Sequence, residues 1–167
     1  LQIYYWESVY KFFEEYGYYA AYMGLDHTKP LDEQACPDVN GTWQQFFLKD
    51  AISDWHSYQA MALMAHREGL KLDESMQTFL DKLYDTLQTA AIQGSYSSVD
   101  ALVQADMGPG CTFEDYYQQQ LIYLTGNVYF NKMLDKVDVS DAAIEAYFTA
   151  NEADLKKNGI TKDSGNL

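Results

Sequence analysis

The fold class follows from one stretch, Cys111 to Phe148, which reads CTFEDYYQQQLIYLTGNVYFNKMLDKVDVSDAAIEAYF. A helix begins after Thr112, a favourable N-cap, and carries two carboxylates in its first turn, where they suit the helix dipole. Apolar side chains then recur at helical spacing in three stripes: Phe113, Tyr117, Leu121, Leu124 and Val128; Tyr116, Tyr123, Phe130 and Leu134; and Ile122, Tyr129 and Met133. A helix that is apolar on most of its circumference belongs inside a bundle. We therefore expect this helix to be the central one of the fold.

A second helix is predicted within the same stretch. Val137 to Val139 interrupt the apolar pattern, and Ser140 is placed to cap a helix over about 141–157. Val139 and Ile144 occupy the two positions of a hydrophobic staple, which fixes the entry of the chain into a helix. The remaining residues, 158–167, are polar, so we expect them to form a frayed tail or a linker.

Four more helices are predicted before the central one, at about 2–23, 42–68, 74–93 and 97–107. Each shows apolar residues at three- and four-residue steps and ends near a glycine. The loop 25–41 is long, and we expect it to wrap over another element. No stretch shows the period-two alternation of a half-buried strand. The sequence thus predicts an all-α fold, an irregular bundle of about six helices without a sheet, with residues 1–157 as one helical domain.

Composition and charge limit the classes of partner. With 167 residues, 47% of them apolar, the chain is long enough to bury an adequate core. A formal net charge of −14 argues against DNA or RNA as partner, because phosphate binding needs clustered Lys and Arg. The same charge disfavours an anionic membrane surface. No apolar run approaches the roughly 20 residues of a membrane span.

Tyrosine is unusually frequent, with 15 residues in the chain. Tyr4, Tyr18 and Tyr22 fall on the otherwise polar face of the predicted first helix. One interpretation is that they are surface tyrosines, or are covered by another part of the protein. The other is that their rings are available to a partner, since tyrosine supplies contact area at low entropic cost. These three residues are our candidates for peptide binding.

The two cysteines, Cys36 and Cys111, lie in predicted loops beside prolines. In an exported protein they could form a disulfide, whereas in a reducing compartment they are two thiols. The sequence does not fix the distance between them, so both alternatives stay open.

No pattern for catalysis or metal binding stands out. The three histidines, His27, His56 and His66, do not form a recognisable ligand set, and the Glu-x-x-His pairs of a di-iron bundle are missing. Cys111 precedes a helix, a setting that can activate a thiol, but no base can be placed beside it. The carboxylates fall singly on polar faces or at caps. We therefore assign no catalytic residue, metal ligand or cofactor in this chain.

Three segments, taken in the order in which they occur along the chain, resemble a known protein family. They read TWQQFFLKDAISDWHSYQAMALMAHREGLKL, LDKLYDTLQTAAIQGSYSSVDALVQADMGPGCTFEDYYQ and KVDVSDAAIEAYFTANEADL. Together, over about residues 42–155, they resemble the helical part of extracytoplasmic foldases of the SurA/PrsA type. They are also similar to the C-terminal chaperone region of trigger factor. The third segment resembles the exit from that helical domain into a parvulin-type prolyl isomerase domain.

The resemblance implies a peptide-binding chaperone domain that holds unfolded or extended polypeptides without ATP. It implies an extracytoplasmic location, in a secreted protein or one held on the outer face of the cell membrane by a lipid anchor outside this chain. We find no parvulin domain here, so residues 158–167 are interpreted as a linker towards it and no isomerase chemistry is assigned. Two alternatives stay open. The chain is the helical portion of a prolyl isomerase whose catalytic domain lies elsewhere, or it is a dimerisation module that forms a homodimer.

Overall fold

The computed structural model describes residues 1–161, which are largely helical. The six α-helices in this range are α1 (Gln2–Tyr16), α2 (Trp43–Arg67), α3 (Glu74–Gln93), α4 (Val99–Met107), α5 (Phe113–Leu134) and α6 (Asp141–Lys157). The all-α fold class, an irregular bundle of about six helices, is confirmed. The more specific resemblance to the SurA/PrsA and trigger factor domains stays a prediction.

Side-chain caps fix where several helices begin, as the sequence predicted. Thr42 caps α2, and Asp73 and Ser140 accept backbone hydrogen bonds at the starts of α3 and α6. At the start of α5, Thr112 Oγ1 accepts from the Asp115 N–H at 3.2 Å, while Asp115 Oδ2 accepts from the Thr112 N–H at 2.9 Å. These bonds satisfy backbone donors that a helix leaves unpaired at its first turn.

Two short strands pair in the loop between α1 and α2, where the sequence predicted no sheet. β1 (Ala35–Cys36) and β2 (Gly41–Thr42) are antiparallel, and each is too short to show alternation in the sequence. The side-chain amide of Gln34 holds the preceding part of this loop together. Its Nε2 donates to three backbone carbonyl oxygens between residues 26 and 30 at 3.0–3.1 Å, and its Oε1 accepts from the Asp26 N–H at 2.7 Å.

The first helix is shorter than predicted and ends at Tyr16 rather than near residue 23. Gly17 follows at once, and glycine weakens a helix. From there to Gly24 the backbone forms turns, in which N–H groups bond mainly to oxygens three residues earlier. Gly24 ends this segment at φ +82°, a left-handed conformation that glycine adopts without steric cost. The apolar pattern continues past the helix because such turns keep nearly helical spacing.

The main core is an aromatic contact between α1 and α2. The centroid of the Phe12 ring lies 5.3 Å from that of Trp43 and 5.4 Å from that of Phe47. Trp43 and Phe47 have no exposed surface. Full burial of one large apolar side chain stabilises a fold by roughly 1.5–3 kcal/mol. This contact therefore carries a large share of the folding free energy.

The pair α1 and α2 is antiparallel. The aromatic core joins the end of α1 to the start of α2. Towards the other end of α1, the Ser8 hydroxyl donates to Asp50 Oδ2 at 2.6 Å, and the Tyr4 ring is stacked 6.4 Å from the Tyr58 ring. Residues early in α1 thus lie beside residues in the middle of α2.

A second, smaller cluster joins α1 to α4, with Ile3, Val99, Val103 and Cys111 buried in it. The other cysteine, Cys36, belongs to the cluster around the aromatic core. Both thiols are free, so the disulfide considered from the sequence is not formed. Burial is the main cause that raises the pKa of the Cys111 thiol, which disfavours the reactive thiolate form.

The prediction of α5 as the central helix is wrong. Its buried residues are Gln119, Thr125 and Gly126, whereas Phe130 and Leu134 are exposed. Many of its other apolar side chains are half-buried tyrosines and aliphatic residues. A tyrosine ring can stay partly in water because of its hydroxyl, so apolar periodicity overstates burial in a tyrosine-rich helix. The core is built by α1 and α2 instead.

The chain groups into two compact units. The first covers residues 1–131, with α1 to α4 and most of α5, and holds both hydrophobic clusters. The second begins at Lys132 and contains α6, where Phe148 is buried. The predicted domain boundary at residue 157 stays a prediction. Most of the predicted tail, 158–167, lies outside the described residues.

We expect Phe47→Ala to lower the free energy of unfolding by about 4 kcal/mol, because it leaves a cavity in the aromatic core. Phe79→Ala, which truncates an exposed ring of α3, is the matched control and should cost less than about 1 kcal/mol. Urea unfolding followed by tryptophan fluorescence measures both losses. Equal losses in the two variants would contradict the α1–α2 core.

Candidate functional site

The tyrosines selected from the sequence lie in two different places. Tyr18 and Tyr22 are on the turns after α1, and their exposed positions are confirmed at 86% and 87% of their surface. The prediction of an exposed ring is wrong for Tyr4, of which 6% is exposed. Tyr4 and Ser8 are one helical turn apart and share the side of α1 that packs on α2. The sequence places Tyr4 on an otherwise polar face of the helix, which includes Ser8, but the hydroxyl of Ser8 is paired with Asp50 rather than with solvent.

Tyr4 borders a cavity of about 330 Å³ between α1, α2 and α5. We call it the tyrosine–carboxylate cavity, after the residues that dominate its walls. These are the tyrosines Tyr4, Tyr58 and Tyr123 and the acidic residues Glu7 and Asp54. All of them belong to the first compact unit.

The three tyrosine rings of the cavity form one continuous wall. Tyr4 and Tyr58 are stacked at an interplanar angle of 27°, and the Tyr58 and Tyr123 centroids are 4.9 Å apart at 55°. Gly126 of α5 permits this close approach, because a Cβ there would lie 3.3 Å from the Tyr58 ring. The wall thus brings aromatic faces from three helices to one cavity.

Two carboxyl groups share the cavity. Burial raises the pKa of Glu7 to about 7, and the nearby charge of Asp54 adds to the rise. The pKa of Asp54 is also raised, first by burial and then by the charge of Asp50, while the charge of Lys11 opposes this. Within residues 1–161 neither Glu7 nor Asp54 forms an ion pair. In the described part of the chain, the charged form of Glu7 therefore lacks a close cationic partner, and that of Asp54 is near the charge of Lys11 without forming an ion pair with it.

A buried amide on α5 positions Glu7. Gln119 Nε2 donates to Glu7 Oε2 at 2.9 Å, and Gln119 Oε1 accepts from Gln120 Nε2 at 2.7 Å. Both glutamines line the cavity, and Gln119 is itself buried. One oxygen of the Glu7 carboxyl group is thus held at the wall by a defined donor.

The hydroxyl of Tyr4 is the one cavity group in the described residues that is both fully buried and without a hydrogen-bond partner. Its oxygen is buried and finds no partner there. Burial, followed by the charge of Glu7, raises the pKa of Tyr4 to about 12, so the group is a neutral hydroxyl. Leaving such a group unpaired costs roughly 1–3 kcal/mol. Because the oxygen has almost no accessible surface, a ligand in the cavity would bond to it and recover that free energy only after a shift of the Tyr4 ring.

The second candidate site is the exposed surface of the turns that follow α1. The rings of Tyr18 and Tyr19 contact edge to face with centroids 5.2 Å apart, and Tyr22 lies one turn further along. We call these three rings the tyrosine surface. An open groove of about 530 Å³ lies within the same segment, 17–27, and most of its walls are glycine and alanine.

Of the residues that line the cavity, the sequence selected only Tyr4, and those missed include Glu7, Asp54, Tyr58 and Tyr123. They come from three helices that are far apart in the sequence, so no local motif joins them. One signal was available in Gln118-Gln119-Gln120, three consecutive amides in a helix that is rich in apolar residues. A buried amide requires hydrogen-bonding partners, which points to a polar site.

Among residues 1–161, no three side chains of His, Cys, Asp or Glu are arranged to hold a metal ion. No helix in the same range is long and apolar enough to cross a membrane. Comparison of the chain with protein-family models, curated proteins and solved structures gave no match. The function is therefore argued from the cavity and the tyrosine surface themselves.

We expect the stability of the fold to fall as the pH rises from about 4.5 to about 7, because the folded state favours the protonated form of Glu7. The contribution of Glu7 to stability is fully present below the pKa that Glu7 has in the unfolded chain. It is lost as the pH rises through the pKa that Glu7 has in the folded state. A shift of this size corresponds to about 3 kcal/mol. Glu7→Gln mimics the protonated group and should flatten this dependence, with a gain in stability at pH 8.

Urea unfolding at pH 5 and pH 8 measures the effect. Glu14→Gln removes a carboxylate from an exposed position of the same helix and serves as control. If the two variants change the pH dependence equally, Glu7 is not the buried carboxyl group described above.

Proposed function

We propose that this chain is an ATP-independent polypeptide-binding domain of the chaperone type, which binds extended, neutral or basic segments at the tyrosine surface. One observation carries the proposal: the rings of Tyr18 and Tyr22 are more than four-fifths exposed, next to a third exposed ring. Apolar surface that clusters on the outside of a fold marks a site of interaction more often than scattered apolar residues do.

The chemistry of the tyrosine surface suits an extended polypeptide. A tyrosine ring offers a large contact area with few rotatable bonds and a hydroxyl that adapts to different partners. The walls of the adjacent groove include Gly17, Ala20, Ala21 and Gly24, which carry at most a methyl group and so leave space for a bound backbone. Recognition of this kind depends on shape and apolar contact, so it tolerates many sequences.

The charge of the chain favours a particular class of segment. The formal net charge of −14 repels acidic clients and attracts basic ones, and added salt should weaken this preference. The resemblance of residues 42–155 to the SurA/PrsA foldases supports the same function. On the basis of this resemblance, we also propose an extracytoplasmic location. We assign no isomerase step to any residue of this chain.

We expect the wild-type chain to bind a permanently unfolded, reduced and alkylated protein that carries a fluorescent label. The double variant Tyr18→Ser, Tyr22→Ser should raise the dissociation constant about tenfold, a loss of about 1.4 kcal/mol. Both rings are exposed, so the variant should keep the wild-type stability. Fluorescence anisotropy measures the affinity, and urea unfolding confirms that the fold is intact.

The matched control is Tyr84→Ser, Tyr147→Ser, which removes two other exposed rings. Equal weakening in both double variants would show that tyrosine content matters and the tyrosine surface does not. No binding by the wild-type chain would refute the proposed function itself.

A further inference from the structure

The tyrosine–carboxylate cavity is a second site, which the proposed polypeptide contact at Tyr18 and Tyr22 does not use. We infer that this cavity binds a protonated alkylamine, with the ammonium group between Glu7 and Asp54 and the alkyl chain against the rings of Tyr58 and Tyr123. Three independent features lead to this assignment: the charge of the cavity, the nature of its walls and the unpartnered hydroxyl of Tyr4.

The charge comes from Glu7 and Asp54, which both line the cavity, and the charge of Asp54 acts on the carboxyl group of Glu7. Within the described part of the chain, neither has an ion-pair partner. The only cationic residue in the lining is Lys11, whose side chain is exposed to solvent. A buried carboxylate is costly unless a cation pairs with it, so a cationic ligand stabilises this arrangement more than a neutral one.

The walls match an organic cation better than a bare metal ion. Aromatic faces attract ammonium groups through the ring quadrupole, and they also offer apolar surface to the alkyl chain that carries the charge. Tyr4, Tyr58 and Tyr123 supply three rings from three helices. Among residues 1–161, no third acidic, histidine or cysteine side chain joins Glu7 and Asp54 as a metal ligand.

The hydroxyl of Tyr4 provides the independent indication of a ligand. The side chain is 6% exposed, lines the cavity and has no hydrogen-bond partner within the described residues. An ammonium group carries three donors and no acceptor, so it can donate to Glu7 and Asp54, and to the Tyr4 oxygen once a shift of the ring turns that oxygen towards the cavity. The other unpartnered buried group, the Trp43 indole N–H, belongs to the aromatic core and does not line the cavity.

The size of the cavity is consistent with this ligand. A volume of about 330 Å³ lies at the lower end of the range for small-molecule sites, roughly 300–1,000 Å³. A four- or five-carbon alkylamine fits in that space. The same group is present in a free amine and in the lysine side chain of a polypeptide. If the ligand is a lysine side chain of a bound polypeptide, the inference rests on the proposed function. If the ligand is a free amine, it does not.

The test is an NMR titration of the folded wild-type chain at pH 8 with n-butylammonium chloride, and with n-butanol as a neutral ligand of the same shape. Butylammonium should bind at least about tenfold more tightly and shift the signals of Tyr4, Tyr58 and Tyr123. The variant Glu7→Gln, Asp54→Asn should weaken this binding about tenfold, since it removes both charges and keeps the side-chain shape. Glu14→Gln should bind as the wild type does.

Equal binding of butylammonium and butanol, or unchanged binding by the double variant, would overturn the inference. A peptide with one lysine and its norleucine counterpart distinguish the two sources. Tighter binding of the lysine peptide than of butylammonium supports a polypeptide as source, and the reverse order supports a free amine. The variant Tyr18→Ser, Tyr22→Ser should lose affinity for unfolded protein and keep its affinity for butylammonium, so the two proposals can fail separately.

Discussion

The contact of Phe12 with Trp43 and Phe47 is the interaction on which the rest of the structure depends. It buries three large rings and fixes the antiparallel register of α1 against α2. Because each helix is a rigid element, the register set at this end also decides which side chains meet further along the pair. Tyr4 and Glu7 are thereby held close to the middle of α2, with Tyr4 about two turns of helix away from Phe12.

The two candidate sites arise at different levels of structure. The tyrosine surface is local, since Gly17 ends α1 and the following turns leave neighbouring rings in solvent. The tyrosine–carboxylate cavity is tertiary, since three helices must meet before Glu7 and Asp54 become neighbours. Partial burial of two carboxyl groups and full burial of one unpaired hydroxyl destabilise the fold, and the aromatic core offsets that cost. Polar groups that destabilise a fold in this way are concentrated at functional sites.

The parts of the fold that the sequence predicted correctly depend on local chemistry. The helix caps at Thr42 and Ser140 are recognised within four residues, and the all-α class follows from helical periodicity. Burial depends on tertiary contacts and was harder to infer. The polar Ser8 made its side of α1 look exposed, although its hydroxyl is paired with Asp50. In α5, apolar periodicity predicted a central helix, yet periodicity does not say how much surface the neighbouring helices cover. The cavity escaped prediction because its residues are joined only by the α1–α2 register and by Gln119.

The central claim is that the aromatic core sets the register that brings the tyrosines of α1 and α2 together. It is tested most directly by nuclear Overhauser effects between ring protons in solution, with the tyrosines and phenylalanines labelled selectively. The account predicts cross-peaks between Tyr4 and Tyr58 in the same sample that shows cross-peaks between Phe12 and Phe47. Cross-peaks from Tyr4 to Phe47, or the absence of any cross-peak between Tyr4 and another ring, would contradict it.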